Sequence, residues 1–215
     1  MRYLLMGWVC LAATMAVAAP EFVTRDILVG KTKIALPLPK ELRWVARETS
    51  WVKERIEVGE HLAKDPRMNV TFVVMMVTPA QYAEAEKTGA MDGNLACWAV
   101  VPTINLEKRQ SLAYFRGLAD GLSEDEGPLK GGALQMKDKK LQEFVDGFST
   151  LAVFDRTDRS LQTLTRSEDV LVAGAYVLVE GKVLILSLTR SKKQARELLA
   201  DMDAWVAQIL KQTKP

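Results

Sequence analysis

Val170-Leu-Val-Ala-Gly-Ala-Tyr-Val-Leu-Val179 is apolar on both of its possible faces. Split at the strand period of two, one set is Val170, Val172, Gly174, Tyr176 and Leu178. The other is Leu171, Ala173, Ala175, Val177 and Val179. A strand with one wet face alternates apolar and polar residues, so this one is expected to be covered on both sides. Glu180-Gly181 interrupts the run before Val183 to Leu188 resumes it. Gly tolerates positive φ, so a tight hairpin is predicted there. Phe148 to Phe154 and Leu161 to Thr165 read as weaker strands, with Asp155-Arg-Thr-Asp-Arg159 as a polar turn between them.

After these strands comes a helix. Ala195, Leu198, Leu199, Met202, Trp205, Val206 and Ile209 recur at spacings of three and four, which makes one apolar stripe. Ser191 and Gln194 have capping-box spacing at its start. This helix covers one face of the sheet, and the second cover must come from earlier in the chain. The candidate is a helix capped by Asn105 that buries Leu112, Phe115, Leu118, Ala119 and Leu122.

Upstream, Asp26 to Val29 and Ile34 to Leu38 form a hairpin around Gly30-Lys-Thr-Lys33. Pro37 and Pro39 cannot donate to a ladder, so that strand is an edge or ends there. Ser50 is a possible cap for a helix from Trp51 to about Leu62, although Val52, Ile56 and Val58 also fit strand alternation. Asn69 to Val77 is a buried strand. Thr78-Pro-Ala-Gln81 is a capping box with Pro at the first helical position, and the short helix it starts ends at Thr88-Gly89. Leu95 to Val101 is a strand closed by Pro102. Ser123 to Lys140, with its Glu124-Asp-Glu-Gly-Pro128 run, reads as a long flexible surface loop. The expected fold is α+β: a mainly antiparallel sheet covered by helices on both faces, an α/β/α sandwich, with a long C-terminal amphipathic helix.

Met1 to Ala18 reads as a secretory signal peptide. Arg2 supplies the positive charge, Leu4 to Val17 the apolar core and Ala16-Val-Ala18 the small-residue cleavage site. The apolar run is shorter than the ~20 residues a spanning helix needs. Cleavage after Ala18 is the reading preferred over cleavage after Ala19, which would leave Pro20 after the scissile bond, and over retention as an uncleaved anchor; residues 19–215 then form a single domain with no transmembrane helix. Cleavage leaves Cys97 as the lone cysteine, so no disulfide is expected. These features suit a bacterial periplasm. The formal charge of +2 falls to about +1 without Arg2. That gives no basic footprint for nucleic acid.

Little catalytic chemistry is legible. His61 is the only histidine, set among Glu60, Lys64 and Asp65, and reads as a solvated helix residue. One His and one Cys cannot make a zinc site. Cys97 lies in an apolar strand, where a buried packing role outweighs a nucleophilic one. The glycine-containing segments lack the spacing of phosphate loops, and the 124–126 acidic run lacks that of a calcium loop. No catalytic residue, cofactor or metal is therefore assigned. Trp44, Trp51 and Trp98 are the candidate binding residues, against the plainer account that they are packing residues.

The hairpin with Leu36-Pro-Leu-Pro39, the mixed strands and helices, the antiparallel run and the closing helix with Trp205-Val-Ala-Gln-Ile209 together resemble the PsbP-like α/β/α sandwich. The resemblance covers most of the chain after the signal peptide and rests on element order. It implies a non-enzymatic binding or assembly role at membranes and transfers no site residue. Two functional classes follow. The first is an exported interaction or accessory module with a protein or envelope partner and an aromatic surface patch. The alternative is a small-molecule-binding protein or carboxylate-based hydrolase, with two close acidic groups in a pocket.

Overall fold

A computed structural model describes residues 20–53, 56, 70–91, 95–124, 149–166 and 170–214. The expected signal segment 1–18, His61 and most of the expected 123–140 loop lie outside the described residues. So does most of the helix expected after Trp51.

The chain opens with a two-stranded sheet, β1 (Phe22–Val29) and β2 (Thr32–Pro39). Its turn is tighter than the sequence suggested: Val29 pairs directly with Thr32, and Gly30 takes φ 58°. The main sheet is antiparallel throughout. Its strands are β3 (Arg43–Trp44), β4 (Val70–Val77), β5 (Cys97–Pro102), β6 (Ser149–Arg156), β7 (Ser160–Arg166), β8 (Val170–Val179) and β9 (Lys182–Ser191), in the order β3-β4-β5-β9-β8-β7-β6. The doubly apolar strand β8 therefore lies inside the sheet, between β9 and β7. Among the described residues the α-helices are α1 (Pro79–Thr88), α2 (Leu112–Glu124) and α3 (Ala195–Gln212).

Leu171, Ala173, Ala175, Val177 and Val179 enter the main core with Leu184, Leu186 and Leu188 of β9. The α3 stripe meets them: Leu198, Met202, Trp205, Val206 and Ile209 are all buried. Each such side chain contributes about 1.5–3 kcal/mol of burial. The β1–β2 hairpin shares this core through Ile27, Val29, Ile34, Leu36 and Leu38, and the Trp205 indole N–H donates to the Pro37 carbonyl. The alternate positions are less covered: on β8 only Leu178 is buried, with Tyr176 packed at the edge of its cluster, while Val170 and Val172 are half-buried, short of the full cover expected on both faces. Two smaller clusters lie on this side. Leu161, Leu178 and Val183 pack with Phe115 and Ala119 of α2. Met75 and Val77 pack with Val52 and Ala85, the last on α1.

Several local expectations change. The Thr78–Gln81 capping box and the left-handed Gly89 at the α1 C-terminus form as read. Asn105 does not cap α2. It ends a 3-10 turn, Thr103–Asn105, and the cap is Ser111, whose Oγ accepts from the Tyr114 N–H. Ser191 does not cap α3 either. A 3-10 turn, Lys192–Gln194, intervenes, and the Ser191 hydroxyl donates to the Gln194 side chain instead of accepting a backbone N–H. The residue before the Ser50–Val52 turn is Thr49, so Ser50 lies within the turn. Asp155 and Arg156 are the last residues of β6, which shortens the β6–β7 turn to Thr157–Arg159.

Candidate functional site

Strand parity separates the three tryptophans. Trp44 pairs with Met76, whose side chain enters the main core, and Trp44 packs against that same core with the Arg25 guanidinium 5.9 Å from its ring centroid. Trp98 pairs with Met75, one position along, and therefore points to the other face of the sheet. There it meets Phe72 edge-to-face, with centroids 6.2 Å apart. Trp51 belongs to the same cluster but is 9 % exposed, with Tyr82 edge-on at 5.6 Å. The structure thus brings Trp51 and Trp98 into one cluster and leaves Trp44 on the opposite face.

Phe72, Tyr82, Met91 and Trp98 are the half-buried members of this cluster and form its rim. Below them lie buried Val52, Met75, Val77 and Leu95. Glu86, one helical turn along α1, accepts from the Tyr82 hydroxyl and raises its pKa. The arrangement is an aromatic surface on a packed base, held by two strands and a capped helix.

Two cavities flank the β6–β7 turn. One, of about 480 Å³, lies between that turn and α2. Its charges are internally matched: Arg116 pairs with Asp158 at 3.1 Å, and Arg156 with Asp120. The other, about 390 Å³, lies between the β6–β7 hairpin and α3. There Gln162 Nε2 donates to Asp155 at 3.0 Å and to Asp203 at 2.8 Å.

Sequence reasoning also passed over Lys182. It is 2 % exposed, and its Nζ donates to the carbonyls of Asn105 (3.0 Å), Leu106 (2.7 Å) and Lys108 (2.9 Å). Burial lowers its pKa, partly opposed by the Glu107 charge, while Arg109 adds to the lowering. A lysine at the mouth of an apolar hairpin strand was the available signal, because such a residue needs partners. Cys97 is fully buried, and burial pushes its thiol far above the ordinary range, with the Glu41 charge adding to the effect. No group of three or more His, Cys, Asp or Glu side chains converges among the described residues. No described helix is long and apolar enough to cross a membrane.

Neither the known protein-family models nor the curated proteins give a match to this chain.

Proposed function

We propose that this chain is an exported accessory module of the bacterial periplasm that holds a protein or envelope partner on the Phe72–Trp98 surface. One observation carries the reading: two large aromatic side chains stack edge-to-face and remain only half-buried. Aromatic anchors on a rigid base are what binding hot spots use, because they offer large apolar area at low conformational cost. The base here is rigid for a physical reason, since Met75, Val77 and Leu95 beneath it are nearly inaccessible. The export signal at residues 1–18 supplies the location. The resemblance to PsbP-like sandwiches agrees with an assembly role. So does a sandwich arrangement with α3 over one face of the main sheet and α1 and α2 over the other; the Phe115 and Ala119 contacts with Leu161 and Val183 support it.

The test compares native complex size in envelope extracts. The wild-type protein is expected in a species larger than the monomer. Trp98→Ala and Phe72→Ala are expected to run as monomers with unchanged circular dichroism. If Trp98→Ala stays in the same large species, or the wild type runs as a monomer, the reading fails.

A further inference from the structure

Val70-Thr-Phe-Val-Val74, the first part of β4, consists of strand formers with no charge and no proline. β3 flanks β4 only at its far end. Arg43 pairs with Val77 and Trp44 with Met76, and the Val45 N–H reaches the Met75 carbonyl before the chain turns away. Among the described residues no strand pairs with Val70 to Val74 on that side, and no main-chain hydrogen bond reaches them from it. Burial breaks near the same point: Val70 to Val73 are half-buried and Val74 to Val77 buried. The other described outer strands differ. β1 carries exposed Arg25 and Asp26, and β6 ends in Asp155-Arg156. Charge or proline on an edge strand discourages a further strand. The open part of β4 has neither, over about 17 Å of edge.

This edge is joined to the aromatic surface. Strand parity alone would put Phe72 and Met75 on opposite faces. The ladder to β5 shifts register between Phe72 and Val74, and Phe72 thereby reaches the face of Trp98 and Met75. A partner lying here meets unpaired main-chain groups at strand spacing, with an aromatic rim beside them. An extended segment satisfies those groups and offers side chains to the rim at every second position. A helix already uses its own main-chain groups and leaves the edge open. We infer that the partner held on the Phe72–Trp98 surface presents an uncharged extended segment, which adds to β4 at Val70–Val74 in line with β3 and lays alternate apolar side chains on the two rings. This rests on the function proposed above and specifies its class of partner.

Hydrogen exchange compares the free chain with the native complex from envelope extracts, quenched, dissociated and read by mass spectrometry with fragmentation. Amides within Val70 to Val74 are expected to slow about tenfold or more in the complex, the worth of one main-chain hydrogen bond. Those of α1 should change less, although Tyr82 of α1 is on the same rim. A complex that forms, depends on Trp98 and leaves the Val70–Val74 amides at their free-chain rates overturns strand addition alone and leaves the aromatic surface standing. Equal slowing across β4 and α1 also overturns it, because general stiffening would then account for the change. A wild-type chain that runs as a monomer removes both the surface and the strand.

Discussion

Replacing Lys182 with Met keeps the length and apolar stem of the side chain and removes its ammonium from three carbonyls. The loss is unequal. Asn105 is 1 % exposed and Leu106 is half-buried, whereas Lys108 is exposed and its carbonyl can turn to water. Two acceptors are thus stranded, at about 1–3 kcal/mol each. Against this, Met no longer has to bury a charge, which offsets part of the loss. The expected net destabilisation is about 3 kcal/mol, with the melting temperature lower by roughly 6–12 °C for a chain of this size. The loop concerned matters to the fold, because the Gln110 N–H also reaches the Gly181 carbonyl at 2.7 Å and Gly30 packs directly beneath Leu106. Urea denaturation of Lys182→Met, with the exposed Lys211→Met as control, measures the difference. The pH dependence supplies a second check. Burial lowers the Lys182 pKa below its usual 10.5, so the folded chain gives up this proton before the unfolded chain does. Between the folded value and 10.5 the unfolded state binds more protons. This group's contribution to stability therefore rises with pH there, and Lys182→Met should lack that slope. A variant within 1 kcal/mol of wild type, or more stable, would refute the reasoning and show that apolar packing outweighs the carbonyl cage.

Trp205 is fully buried and its indole N–H is bonded to Pro37. Trp205→Ala should cost about 3–5 kcal/mol in urea denaturation, and Trp205→Phe less, though still more than the lost hydrogen bond alone. Cys97 should resist a water-soluble alkylating reagent in the native protein and react at once in denaturant, because its burial blocks access and holds it as the thiol. Fast native labelling, followed by mass spectrometry, would contradict that. If residues 1–18 are a cleaved signal, N-terminal sequencing of the protein purified from a bacterial envelope fraction should begin at Ala19, and a chain still carrying residues 1–18 would rule out cleavage there.

The parts of the fold that were legible have short-range causes. The set Leu171, Ala173, Ala175, Val177 and Val179 and the period-three-and-four stripe of α3 each record burial within one element. The Thr78–Gln81 box is a contact between residues three apart. What was not legible needs a partner from elsewhere. Ser191 has the right spacing for a cap, but it is also the last residue of β9, and the 3-10 turn after it moves the helix start. Trp44 and Trp98 look alike in sequence. Only the register of two-residue β3 against β4 decides that they face opposite ways. The Asp155–Gln162–Asp203 groove joins residues from three elements up to 48 positions apart, and read in isolation Asp155 suggested a turn. The Lys182 cage depends on the path of the 103–110 connection, which no periodicity encodes.

The proposal that the Phe72–Trp98 surface holds a partner is tested most directly by crosslinking in living cells. A photoreactive phenylalanine analogue placed at Tyr82, on the rim of the aromatic cluster, is compared with the same analogue at Tyr114, 44 % exposed on α2. Position 82 should give a discrete adduct that disappears with Trp98→Ala, and position 114 should give none. An adduct from 114 alone, from both positions equally, or from neither would contradict the account.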